Sequence, residues 1–271
     1  MTRIATWNVN SIKAHLASTL AWAKSEKPDV LLLQEIKCLD DGFPRLEFED
    51  LGYNVETVGQ TTYNGVAILS RHPLTVEQRS LPGAKDDEPA RYIEALIEVP
   101  GEQKSSKRQV LRAASIYLPN GNPSGSEKFA YKLAWMERLI AHAKALLKEE
   151  EILVLGGDYN VCPTDADVYD PEGWRDDALC RPESRAKYRE LLYLGYTDAI
   201  AARHPEPGNY TFWDYQAGAW RRNHGIRIDH ALLSPQALDR LRGVAIHRDV
   251  RAWEKPSDHV PVWADLDLEA A

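Results

Sequence analysis

What most constrains this chain is the placement of its carboxylates, amides and one histidine, which recur at the ends of short apolar runs from one terminus to the other. Trp7-Asn8-Val9-Asn10 follows Ile4 and Ala5, and Gln34-Glu35 ends Val30-Leu31-Leu32-Leu33. Gly157-Asp158-Tyr159-Asn160 ends Ile152-Leu153-Val154-Leu155, Asp229 lies inside Ile226-Arg227-Ile228-Asp229-His230, and Ser257-Asp258-His259 precedes Val260-Pro261-Val262. A short apolar run bounded by turn residues reads as a buried strand, and α/β folds build their sites just beyond strand ends. Five such ends predict one polar cluster rich in oxygen ligands.

A chain of 271 residues, 44% hydrophobic, can bury a sizeable core. No break in composition divides it, so a single domain over 1–271 is expected. The breaker-rich stretches Leu81 to Arg91 and Pro163 to Ser184 read as surface loops. Ser11 is placed to cap a helix with the stripe Ile12, Leu16, Leu20 and Ala23, ending before Pro28. Phe129, Leu133, Met136, Ile140, Ala143 and Leu147 predict a long amphipathic helix from about Ser126 to Glu150. Tyr92 to Val99 and Val110 to Tyr117 read as adjacent strands joined by a charged turn containing Gly101, and Val260 to Leu268 alternates as a half-buried strand does. Two mixed sheets packed face to face, with helices outside both, are the expected α/β architecture.

No apolar stretch approaches the roughly 18 residues of a membrane span, so a cytoplasmic protein is expected. Cys38, Cys162 and Cys180 form no CxxC pair and read as ordinary reduced cysteines. A net charge of -8 argues, by itself, against nucleic acid. Net charge says little about one face, however, and Arg221-Arg222 with Arg227, or Lys104 with Lys107-Arg108, supply local positive charge.

The residue types at the strand ends suit phosphate chemistry on a hard cation. Mg²⁺ takes carboxylate and amide oxygens and is often held by one or two carboxylates plus substrate phosphate. Glu35 ends an all-aliphatic strand, where it has no structural reason to be, although a surface ion pair would also account for it. Gly156-Gly157 reads as a sharp strand exit, and Asp-x-Asn spacing puts Asp158 and Asn160 on one side of an extended backbone. The aspartate there would deprotonate a water and the asparagine would meet a phosphate oxygen; the same four residues also read as a plain turn. His259 offers an imidazole to developing phosphorane charge, and Asp229 is a natural carboxylate partner. Tyr117 could reach the phosphate from the opposite wall, and Asn8 and Asn10 could fix the glutamate or the metal's waters.

Taken in order, Trp7-Asn8-Val9-Asn10, Gln34-Glu35-Ile36-Lys37, Tyr117-Leu118-Pro119-Asn120-Gly121, Gly157-Asp158-Tyr159-Asn160, Arg227-Ile228-Asp229 and Ser257-Asp258-His259 resemble the motifs of the exonuclease III family of abasic-site endonucleases, within the endonuclease/exonuclease/phosphatase superfamily. The resemblance spans nearly the whole chain. It implies a DNase I-like four-layer sandwich, Mg²⁺ dependence with Mn²⁺ as a substitute, and hydrolysis of duplex DNA 5′ to abasic sites, with 3′-phosphodiesterase, 3′-phosphatase and 3′→5′ exonuclease action by a monomer. By the same resemblance Glu35 binds the metal with Asn8, Asn10 and Asp258 near it. Asp158 activates water, Asn160, Tyr117 and Asn120 contact phosphate, and His259 with Asp229 stabilises the pentacovalent phosphate. Phe212, Trp213, Ile226 and Ile228 would wall an apolar pocket for the extrahelical abasic sugar. Arg221, Arg222 and Arg227 would grip the DNA backbone. The acidic stretch from Asp165 to Asp177 is left without a role.

Phosphoesterases acting on phosphoinositides or sphingomyelin share the same skeleton. The Thr211-Phe212-Trp213-Asp214-Tyr215 segment before Arg-Ile-Asp favours DNA. A catalytically dead nucleic-acid-binding or scaffold module is disfavoured, because every expected catalytic position holds a competent residue.

Overall fold

The computed structural model describes residues 1–99 and 109–268. Its strands are β1 (Thr2–Asn8), β2 (Val30–Gln34), β3 (Asn54–Val58), β4 (Val66–Ser70), β5 (Leu74–Gln78), β6 (Tyr92–Val99), β7 (Gln109–Tyr117), β8 (Ile152–Asp158), β9 (Thr197–Asp198), β10 (Asp229–Leu233), β11 (Leu241–Ile246) and β12 (Val262–Leu266). They form two six-stranded sheets, ordered β11-β12-β1-β2-β4-β3 and β5-β6-β7-β8-β10-β9. The helices are α1 (Leu16–Glu26), α2 (Arg45–Glu49), α3 (Glu127–Leu146), α4 (Pro171–Trp174), α5 (Pro182–Tyr193), α6 (Ala199–Arg203), α7 (Ala219–Arg222) and α8 (Pro235–Leu238).

Side-chain alternation explains the layers. In β2, Val30 and Leu32 face the other sheet and pack with Ile93, Ala95, Leu111 and Val154, while Leu31 and Leu33 face outward onto Trp22 and Ala23 of α1. On the far side, Leu153 and Leu155 of β8 meet Trp135, Met136 and Leu139 of α3 and Tyr188 and Leu191 of α5. Both faces of each sheet are thus covered, which is why these strands read as continuous apolar runs. Each fully buried Leu contributes about 1.5–3 kcal/mol relative to exposure. The result is the expected four-layer arrangement.

Each sheet has one parallel pair at its centre, β1 with β2 and β7 with β8. Asn8 pairs in register with Gln34, and Tyr117 with Asp158. Parallel strands finish at the same edge, so four motif-bearing ends emerge together. The antiparallel β10 starts there too, with Asp229 opposite Asp158.

Several local expectations need correction. Gly156 and Gly157 lie inside β8 and make no turn. A Cβ on Gly156 would fall 2.7 Å from Leu32 Cδ1 of the other sheet, and one on Gly157 would fall 2.0 Å from the Ile116 carbonyl oxygen, so both glycines serve close approach. Ser11 does not cap α1, which begins at Leu16 after His15; the Ser11 hydroxyl instead accepts from Ala14 N in a preceding turn. Ser126 does cap α3 by accepting from Phe129 N. The buried face of α3 is rotated from the expected stripe and runs through Phe129, Lys132, Trp135, Met136, Leu139, Ala143 and Leu146. Pro163 to Ser184 is more than a surface loop, because it contains α4 and buries Ala178, Leu179 and Cys180. The expected turn at Gly101, with Lys104, Lys107 and Arg108, lies outside the described residues. Among the described residues no helix is long and apolar enough to cross a membrane, and Cys38, Cys162 and Cys180 are free and buried.

Candidate active site

Asn8, at the end of β1, joins the two sheets. Its Nδ2 donates to Glu35 Oε1 at 2.8 Å and to Asp158 Oδ2 at 2.9 Å, while its Oδ1 accepts from Asn10 N at 3.0 Å. Glu35 follows β2 with a left-handed backbone, φ 50°, that aims the carboxylate inward. Lys37 Nζ sits 2.8 Å from Glu35 Oε2. Burial alone would raise the Glu35 pKa, yet the bonds from Asn8 and Lys37 hold it below the usual range, so the group is ionised.

Asp158 and Asn160 are not side by side on an extended strand. Asn160 is left-handed, φ 48°, and its backbone N–H turns back onto Asp158 Oδ1 at 2.9 Å. The Asn160 amide then donates to the Leu118 carbonyl at 2.9 Å and accepts from Asn120 Nδ2 at 3.2 Å. Tyr117 lies half-buried between Glu35 and Asp158, with the Arg91 guanidinium 4.8 Å above its ring. Burial and those two carboxylates raise the phenol well above its ordinary pKa, which keeps it a proton-bearing donor.

His259 Nδ1 lies 2.8 Å from Asp229 Oδ2, and its Nε2 lies 3.8 Å from Asp158 Oδ2. Burial opposes a charged ring, but Asp229 first and Asp158 next lift its pKa to about 10. Burial pushes Asp158 up to about 7 against the pull of the His259 charge. The histidine backbone is fixed from two sides: Trp7 Nε1 donates to the His259 carbonyl, and His259 N donates to Ser257 Oγ, which in turn donates to the Asn8 carbonyl.

Ligand atoms of Glu35, Asp158 and His259 all lie within 4.8 Å of one another. With His259 Nδ1 taken by Asp229, the two carboxylates are the hard oxygen donors that could hold a divalent cation such as Mg²⁺. Asn8 lies beside Glu35 as expected and donates to both carboxylates, whereas Asp258 lies outside their group; Asn10 links the two, its Nδ2 donating to Asp258 Oδ1 at 3.0 Å and its Oδ1 accepting from Lys37 Nζ, the partner of Glu35.

Phe212 packs edge-on against His259, centroids 4.9 Å apart, and with Ile226 lines a cavity of about 240 Å³. Trp213 and Ile228 do not line it. Trp213 is fully buried against Trp220, and Ile228 packs with Cys162 and Val168. The outer wall is Tyr169 and Trp174, both from the acidic stretch with no expected role, and His224, which stacks on Tyr169 at 4.3 Å. Arg222 reaches this cavity and Arg221 is exposed. Arg227 cannot grip DNA: it is 5% exposed, with Nε 2.7 Å from Asp167 Oδ1 and Nη1 2.5 Å from Asp198 Oδ2. It anchors the start of β10 to the acidic stretch instead.

Sequence reasoning gave no role to Lys37, Arg91 or Lys132. Lys37 stands two residues after Glu35 in the same motif, and Lys132 sits one helical turn from Phe129 and Met136, so a lysine on the apolar side of α3 was the available signal. Arg91 carried none.

A family model described as "Endonuclease/Exonuclease/phosphatase family" matches residues 5–259. The chain is 33% identical to exodeoxyribonuclease III of Haemophilus influenzae, over 97% of this chain and 99% of that protein. Among solved structures, the 3′ phosphatase NExo from Neisseria, bound to a product DNA hairpin, has a TM-score of 0.90 at 37% identity and covers 98% of this chain and 100% of its own. An AP endonuclease from Archaeoglobus fulgidus has a TM-score of 0.89 at 35% identity, again with 98% and 100% covered.

Proposed function

Since the chain belongs to the endonuclease/exonuclease/phosphatase family, and within it to the exonuclease III group of DNA-repair nucleases, we propose that it hydrolyses duplex DNA 5′ to abasic sites and trims blocked 3′ ends. The 3′ work comprises phosphodiesterase, phosphatase and exonuclease action. One observation carries the reading: Asp158, tied to Glu35 through Asn8, faces the imidazolium of His259, which Asp229 holds in place.

Glu35 and Asp158 would hold Mg²⁺, which when bound supplies positive charge against the scissile phosphate and eases deprotonation of a nearby water. The side chains divide the remaining work. Asp158 accepts the proton of the attacking water, for which it must be ionised. His259, protonated, donates from Nε2 to a non-bridging phosphate oxygen as charge builds, and the Asp229 bond prevents the ring from turning. Asn160, Asn120 and the Tyr117 phenol hydrogen-bond the phosphate and set its angle to the water. Asn10 and Asp258 brace this arrangement, Asn10 through Lys37 and Asp258 through Asn10. Phe212 and Ile226 receive the baseless sugar: a cavity of about 240 Å³ has room for it, and a baseless nucleotide costs little to flip. The site is complete within one chain, which supports a monomer.

The test is incision of a labelled duplex with one abasic-site analogue, with Mg²⁺ and with chelator, beside undamaged duplex and a soluble phosphoinositide. Metal-dependent cutting on the 5′ side of the lesion is expected. Phosphate release from the phosphoinositide with the DNA intact would overturn the substrate.

A further inference from the structure

Behind the two phosphate-facing asparagines lies a lysine that water does not reach. Lys132, on the inner face of α3, is 0% exposed. Its Nζ donates to the backbone carbonyls of Asn120 at 3.0 Å and Asn160 at 2.5 Å. Burying an amine costs free energy that an alkyl side chain of the same length would not, so packing alone does not account for a lysine here. Burial draws its pKa down to about 7, with Asp158 and Asp177 opposing. A neutral amine still carries two N–H groups for two carbonyls, so both bonds persist in either protonation state.

The two carbonyls belong to separate loops, one after β7 and one after β8, and each loop is bent sharply at the clamp. Asn160 is left-handed, and Gly121, φ +87°, lies so close that a Cβ would fall 2.6 Å from Lys132 Cδ. The side chains these loops present also meet, Asn120 Nδ2 on Asn160 Oδ1. One nitrogen therefore sets the spacing of two amides. We propose that Lys132 is a positioning residue for phosphodiester hydrolysis, holding Asn120 and Asn160 at the separation the scissile phosphate requires. The inference rests on the proposed phosphate contacts of those asparagines. Such clamps matter because a displacement of about 1 Å at a reacting group can cost on the order of 10²-fold in rate.

The experiment compares wild type, Lys132→Met, Asn160→Ala and the double variant on the abasic duplex, with Mg²⁺ titration and thermal midpoint for each. Lys132→Met should lower kcat roughly tenfold or more with the Mg²⁺ midpoint unchanged, and should cost far less in the Asn160→Ala background, where the positioned amide is gone. Lys132→Gln, which keeps two donors on a shorter stem, should recover part of kcat and serves if Lys132→Met does not fold. A folded Lys132→Met with kcat within about twofold of wild type, however low its melting temperature, overturns the clamp and leaves a structural lysine, and a folded Lys132→Gln no faster than Lys132→Met does the same. Full additivity with Asn160→Ala overturns it equally. If wild type itself leaves the abasic duplex intact, the phosphate reading falls and the clamp with it, whereas a cutting wild type with an equally fast Lys132→Met removes the clamp alone.

Discussion

Asn8 Nδ2 lies 2.9 Å from Asp158 Oδ2, a hydrogen bond that crosses from one sheet to the other and is shared with Glu35. A buried and a half-buried carboxylate facing one another repel, and the bridging amide is what lets them converge at one point. Asn8→Asp would place a third carboxylate between them. We expect kcat to fall about 10²-fold and the Mg²⁺ midpoint to rise. A metal titration of incision rate decides this, and an unchanged midpoint would remove Asn8 from the support of the metal pair.

Asp158→Asn keeps the shape of the site and removes the proton acceptor together with one of the two carboxylates proposed for Mg²⁺, so it is compared with wild type at saturating Mg²⁺. It should lower kcat by about 10³-fold or more while abasic-duplex affinity stays within a few fold, because the proton moves only in the transition state. Single-turnover cleavage beside a binding isotherm separates the two. Near-normal turnover would transfer the role of base to another group.

His259 supplies a test by pH. Its folded pKa, about 10, lies above its unfolded value of 6.5, so the folded protein holds an extra proton between them. The stabilisation is fully present below pH 6.5 and is lost as pH rises toward 10. Buried Lys132 runs the other way, from 10.5 down to about 7, so the informative quantity is the difference between profiles. In chelator above pH 7.5, the slope of wild-type stability against pH should lie below that of His259→Gln by chemical denaturation. Parallel profiles would mean that Asp229 does not hold an imidazolium.

The strand-end motifs were legible because each is local: packing gives no reason for a carboxylate to close an apolar run, and parallel pairing brings such ends to one edge. Asn8, Glu35, Asp158 and His259 converge for that reason. What the sequence hid depends on the turn each loop takes after its strand. Asn160 looks extended in sequence and is left-handed in space, and Tyr169 and Trp174 reach the cavity only because Val168 pairs with Ile226 across 58 positions of chain. The buried stripe of α3 lies one row off the expected one because Lys132 and Trp135 face inward, the lysine drawn there by two loop carbonyls rather than by apolarity.

Arg222 and Arg227 look interchangeable in sequence and should behave oppositely. Arg222 is exposed at the cavity, so Arg222→Ala should weaken DNA binding at low salt and reduce the slope of log affinity against log salt by about one, leaving the melting temperature in place. Arg227 is locked between Asp167 and Asp198, and its pKa is raised because their attraction outweighs the cost of burial. Arg227→Leu strands two buried carboxylates, which should cost about 3–5 kcal/mol. For a chain of this size that corresponds to a fall in melting temperature of roughly 6–20 °C, with the salt slope of the folded fraction unchanged. The pair of measurements, thermal midpoint and salt slope, separates the arginine that meets DNA from the one that holds β10 to the acidic stretch. An Arg227→Leu protein of wild-type stability with a reduced slope would reverse the assignment.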